Sequence, residues 1–262
     1  KLASEELEMF QVVFIRGIIA TSLLGILAWH KGALNYRPSK HDIKIIGWRT
    51  FAETGATFCF LTALFNMPLA NATAILQSLP LAVTLAASWF LGHKAGWRRY
   101  LAITLGFVGV LIIIRPGTGG FNAFSLWALA SVAFITLRDM LSHKLNPSTP
   151  SIFVALFTAA AIMALSGLGA ATQEWRTVTP LTGGYLAIAA GFILVGYISA
   201  IAAMRHGKIS FVSPFRYSVL IWALVLGVLV FGEIPDGWTI TGSVIIVGMG
   251  IFTFYRERKA AN

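Results

Sequence analysis

Nine apolar stretches, each near the roughly 20 residues that cross a hydrocarbon core, occupy most of this 262-residue chain, with its charges gathered in short clusters between them. They fall at 10–29, 45–65, 72–91, 100–114, 124–141, 151–171, 185–204, 209–231 and 238–255. Turn-forming sequences separate several of them: Arg37-Pro38-Ser39, Asn66-Met67-Pro68, Arg115-Pro116-Gly117, Asn146-Pro147 and Ile234-Pro235-Asp236-Gly237. Only 11% of the residues are charged, against about 25% in a soluble domain, which is too few to coat a globule. The 25 glycines suit helices that pack through small residues. The pattern predicts an all-α protein embedded in a lipid bilayer.

A net charge of +10 raises the thought of nucleic acid. Its distribution excludes that partner. Fifteen of the twenty Lys and Arg fall on one side of the predicted spans, three on the other (Lys1, Arg115, Arg176), and two, Arg16 and Arg216, within spans. By the positive-inside rule the basic side is cytoplasmic and includes the C-terminus, which predicts a multi-pass protein of an inner membrane. Six of the eight tryptophans, Trp29, Trp48, Trp97, Trp127, Trp175 and Trp238, fall near predicted span ends, where an indole prefers the interface. The one cysteine, Cys59, reads as a packing residue, so no disulfide framework is expected. Lys1 to Glu8 lacks the apolar core of a cleavable signal. The five histidines all lie at or near cytoplasmic loops, a scatter that suits neither a metal site nor a cofactor.

The chain also repeats itself. At an offset of 140, Ala63 meets Ala203, Ser78 meets Ser218, and Leu91-Gly92 meets Phe231-Gly232; one residue later, Trp97 meets Trp238, Gly109 meets Gly250, and Arg115 meets Arg256. Residues 1–117 then form a first repeat with four visible helices, and residues 118–262 a second with five. A repeat of five helices places its copies in opposite orientation, the architecture of many secondary transporters. The expected fold is an inverted repeat of five transmembrane helices, with the first of its ten helices absent from this chain and nine spans visible.

Particular runs carry a family likeness. They are Phe14-Ile15-Arg16-Gly17, Ala63-Leu64-Phe65-Asn66-Met67-Pro68-Leu69-Ala70-Asn71-Ala72-Thr73-Ala74-Ile75, Phe90-Leu91-Gly92, and Gly106-Phe107-Val108-Gly109-Val110-Leu111-Ile112, with Ser213-Pro214-Phe215 and Val230-Phe231-Gly232-Glu233 in the second copy. Through them essentially the whole chain resembles the EamA group of the drug/metabolite transporter superfamily. The resemblance implies ten helices in two repeats, cytoplasmic termini, and transport of small metabolites such as amino acids, nucleotide-related compounds or cofactors. The chain departs from the pattern in lacking the first helix and in placing His93-Lys94 where Gly-Glu usually continues, whereas the second copy keeps Glu233.

An ionisable group near the middle of a span costs about 2.5–3.5 kcal/mol on insertion scales, so each needs a reason. Arg16 lies about two turns inside the outer end of its helix; it either snorkels to the headgroups or meets substrate. Glu53 lies about two turns from the cytoplasmic end, with Arg49 on the same face four residues earlier. It is either half of a local pair, or a proton acceptor or the partner of a substrate amine. Arg216 follows Pro214, which bends the penultimate helix; its guanidinium suits a carboxylate or phosphate, or pairs with Glu53. Gln77 and Tyr217 occupy equivalent repeat positions and are polar candidates for the pathway, or hydrogen-bond between helices. Asp139 reads as a solvated partner of Arg138.

These residues predict a secondary transporter that moves a small anionic or zwitterionic, amino-acid-like metabolite by alternating access, with a proton as the candidate coupling ion. A membrane enzyme would need a nucleophile–base pair or a metal-ligand set within the spans, and neither is visible. A structural or regulatory membrane protein has no evident use for buried charge. Oligomeric state and direction of transport are not written in these residues.

Overall fold

The computed structural model describes residues 2–90, 97–116, 121–142, 144–206 and 218–261, and the regular structure among them is all helical. The helices are α1 (Met9–His30), α2 (Lys40–Asn66), α3 (Leu69–Leu76), α4 (Leu79–Phe90), α5 (Trp97–Ile114), α6 (Phe124–Ser142), α7 (Ser151–Ala170), α8 (Pro180–His206), α9 (Ser218–Phe231) and α10 (Gly237–Ala261). Among the described residues each apolar stretch contributes one helix, except that the third divides into α3 and α4. In hydrocarbon every backbone N–H and C=O must be satisfied from within the segment, which a helix achieves. Among the described residues, four spans are long and apolar enough to cross a membrane: Met9–His30, Leu69–Ala86 across the α3–α4 break, Phe124–Ser142 and Ser151–Ala170. Large apolar side chains such as Leu168, Phe192 and Leu229 are 70%, 74% and 77% exposed, as lipid-facing residues are.

The chain forms two compact units, one from Lys1–Thr54 with Leu141–His206, the other from Gly55–Met140 with Gly207–Asn262. In the first, α1 packs along α7. The rings of Phe10 and Phe14 lie in notches left by Gly169 and Gly167, where a Cβ would come within 2.6 Å and 2.7 Å of them, and Gly17 faces Met163. Residue numbers rise along α1 as they fall along α7, so the two run antiparallel. In the second unit, α5 packs along α10. A Cβ on Gly109 would lie 2.9 Å from the Gly242 carbonyl, Ile113 lies over Gly242, and Gly106 neighbours Met249, again an antiparallel crossing. Lipid supplies no hydrophobic drive between helices, so close approach at glycine supplies the dispersion contact instead.

These partners are the helices that the 140-residue repeat relates, α1 with α7 and α5 with α10. α2 and α8 are also equivalent: each has 27 residues, Lys40–Asn66 and Pro180–His206. A duplication about an axis along the membrane normal would leave equivalent helices parallel. Their antiparallel packing within each unit is what an inverted repeat produces.

Gly109→Val should wedge α5 away from α10. Overpacking of this kind costs about 1–3 kcal/mol, read as a lower unfolding midpoint in detergent. Gly184→Val is the control, because a Cβ at Gly184 meets nothing within 4 Å. Equal midpoints for the two variants would contradict the packing.

Candidate functional site

In the first unit, the start of α2 is set by a local cap. The Ser39 hydroxyl accepts the Asp42 N–H at 3.1 Å and donates to the Asp42 carboxylate at 2.8 Å. The other carboxylate oxygen accepts the Asn146 N–H at 3.3 Å, tying this end of α2 to the loop before α7. Ahead of the apolar part of α2, the Ser39 hydroxyl holds the Asp42 carboxyl below the usual carboxylate range; burial works against it, and Asn146 and His41 add to it.

Two turns further on, Arg49 is buried, 7% exposed, among hydroxyls. Its Nε donates to Ser142 Oγ at 3.0 Å, at the end of α6, and Nη1 donates to Thr158 Oγ1 at 3.0 Å, on α7. Its Nη2 lies 3.5 Å from Glu53 Oε2, one turn on along α2, and the Glu53 side chain is 17% exposed. The local pair read from the sequence is therefore present, and the sequence reading missed the two hydroxyls that hold it. Ser142 and Thr158 lie 93 and 109 residues away along the chain, so no local spacing announces them.

Arg16, on α1 of the same unit, is half-buried. Among the described residues it makes no hydrogen bond and no ion pair.

In the second unit, Gln77 sits in the break of the third span. It is 8% exposed and caps α3, its N–H shared between the Thr73 and Ala74 carbonyls at 3.1 Å and 3.2 Å. Ser78 then tightens the turn, with both its N–H and its hydroxyl donating to the Ile75 carbonyl at 3.1 Å and 2.7 Å. Pro80, in the first turn of α4, has no N–H to continue the ladder. Apolar side chains on both sides of the break, among them Ile75, Leu79, Val110 and Ile246, hold it in the core.

The other end of α3 begins at Pro68, whose side chain cannot cap. Glu233 supplies the acceptor: its carboxylate takes the Leu69 N–H at 2.8 Å, a negative charge at a helix N-terminus. Gly232, at φ +63°, makes the left-handed turn that ends α9, and the Glu233 N–H returns to the Gly227 carbonyl at 2.9 Å. Thr239 donates to Asn71 at 3.0 Å, and Arg115 pairs with Asp236. Glu233 thus has a structural task at this broken helix that reading it as a family marker did not reveal.

Arg216 and Tyr217 lie outside the described residues. Arg138 and Asp139 pair at 2.8 Å, each about a quarter exposed. No group of metal-ligating side chains occurs among the described residues, and Cys59 is buried.

A family model for EamA-like transporters matches residues 1–115. The riboflavin transporter of Vibrio cholerae is 30% identical over 224 residues, which cover 82% of this chain and 74% of the relative. The chain belongs to the EamA-like transporter family. An S-adenosylmethionine uptake transporter of Rickettsia felis is 26% identical over 265 residues, 99% of this chain and 87% of the relative. One crystal structure, 16% identical, superposes with a TM-score of 0.69 over 98% of this chain and 91% of its own, which shows the same fold. This EamA-like protein is a multi-pass membrane transporter of small metabolites, and its relatives are transporters rather than enzymes.

Proposed function

We propose that the protein carries a metabolite bearing a zwitterionic amino-acid group across a bacterial inner membrane by alternating access, with S-adenosylmethionine as the first candidate. The observation that carries this reading is Arg16, a half-buried guanidinium inside a span with no acceptor among the described residues. A cation at that depth is costly without a partner, and a substrate carboxylate is the partner that a planar guanidinium fits. Glu53, in the same compact unit, supplies the opposite charge for a substrate amine or for a coupling proton. S-adenosylmethionine has both a carboxylate and an amine, and the full-length likeness to an uptake transporter for it supports the choice. Gln77, Arg216 and Tyr217 remain proposed substrate contacts, chosen for hydrogen-bonding capacity and, for Arg216, positive charge.

The test is uptake of labelled S-adenosylmethionine into proteoliposomes, with and without a pH gradient, against unlabelled amino acids and riboflavin as competitors. Saturable uptake blocked by unlabelled S-adenosylmethionine is the expected result. Uptake blocked by riboflavin alone would refute the substrate class.

The charge asymmetry of the loops supports a cytoplasmic C-terminus. A cysteine placed at Trp175 should react with an impermeant thiol reagent added outside intact cells, and one at Lys40 should not. Strong labelling at position 40 would reverse the orientation.

A further inference from the structure

Glu53 has three rotatable bonds and a carboxylate that could swing, so what aims it matters to any carrier that uses it. The neighbouring guanidinium is fixed from two other helices. Thr158 spends its own proton on the Val154 carbonyl at 2.8 Å, which leaves its lone pairs for Arg49 Nη1 and makes Thr50, 3.2 Å away, a donor to it. Ser142 takes Nε at 3.0 Å. The hydroxyls orient the guanidinium plane without neutralising it, since neither brings a negative charge. Its Nη2 lies 3.5 Å from Glu53 Oε2, so the clamped plane presents its positive charge to that carboxylate. The partners that fix the guanidinium belong to α6 and α7.

We propose that Arg49 is a positioning residue for transport: clamped by Ser142 and Thr158, it holds the Glu53 carboxylate in line and yields it to the amine of an arriving zwitterion. The inference rests on the reading of Glu53 as a substrate contact. Arg49 touches no substrate in it. The role needs a planar cation with several donors, which lysine lacks, and a hydroxyl acceptor at position 158, which serine keeps and valine removes.

The experiment measures KM and Vmax for labelled S-adenosylmethionine in proteoliposomes carrying the full chain. Thr158→Val is expected to raise KM about tenfold, the scale of one hydrogen bond to a charged group, and Thr158→Ser to restore it to within about twofold. In a Glu53→Gln background, Thr158→Val should add almost nothing, because the group it aims is gone. A shift of the same size with and without Glu53, or no shift at all while Glu53→Gln is impaired, overturns the positioning role and leaves the transport reading standing. Normal kinetics in Glu53→Gln, or no uptake by the parent chain, overturns that reading and this inference with it. Unfolding midpoints taken alongside separate a loss of fold from a change in KM, since a purely structural hydroxyl would lower the midpoint without depending on Glu53.

Discussion

Arg16→Met is expected to impair transport severely while making the folded protein harder to unfold. Methionine is as long and flexible as the arginine stem but carries no charge, so the span loses a group that costs about 2.5–3.5 kcal/mol near its middle. Some of that cost should reappear as a higher unfolding midpoint in detergent, because no hydrogen bond or ion pair to a described residue is lost with the guanidinium. Transport should fall about ten- to a hundredfold, the worth of a hydrogen bond between charged groups. Opposite signs on the two readouts mark a functional residue kept against the interest of stability. A variant that transports normally, or that unfolds more readily than its parent, would make Arg16 a structural residue.

Glu53→Gln is expected to impair transport to a similar extent with little loss of fold. The amide keeps the shape of the side chain and removes its charge, so it can attract neither a substrate ammonium nor a coupling proton. Arg49 stays clamped, because Ser142 and Thr158 still accept its Nε and Nη1 hydrogens. If uptake in the parent chain responds to a pH gradient, uptake in this variant should not. Initial rates with inside-acid, inside-alkaline and symmetric vesicles measure both effects. A parent-like rate at parent-like expression would remove Glu53 from the site.

Much of the fold was legible because membrane helices are written in blocks. The apolar stretches at 10–29 and 124–141 differ from α1 and α6 by at most one residue at each end, since hydropathy and helix limits are set by the same bilayer. The repeat was legible through aligned small residues, and the antiparallel α5–α10 pair shows what Gly109 contributes to it, a backbone close enough to touch Gly242. The division of the third span was only half legible. Pro80 signalled an interruption, but the placement of the break at Gln77 and Ser78 depends on the 3₁₀-like turn back to Ile75. At the candidate site, the Arg49–Glu53 pair was visible because it is local, four residues apart on one helix face. Its clamp was not, because Ser142 and Thr158 come from distant helices and resemble the other hydroxyls of a membrane protein. Glu233 escaped for a related reason. Its partner is a backbone N–H at Leu69, and no side-chain pattern records which helix start lacks a cap.

The most direct measurement is counterflow. Proteoliposomes preloaded with unlabelled S-adenosylmethionine are placed in a trace of the labelled compound, and the transient accumulation is followed. The expected result is accumulation in the parent chain that is competed by solutes bearing both a carboxylate and an amine, and not by analogues in which either group is blocked. Arg16→Met and Glu53→Gln should each lose it. Competition that ignores both charged groups, with either variant matching its parent, would contradict a carrier that reads its substrate through a guanidinium and a carboxylate.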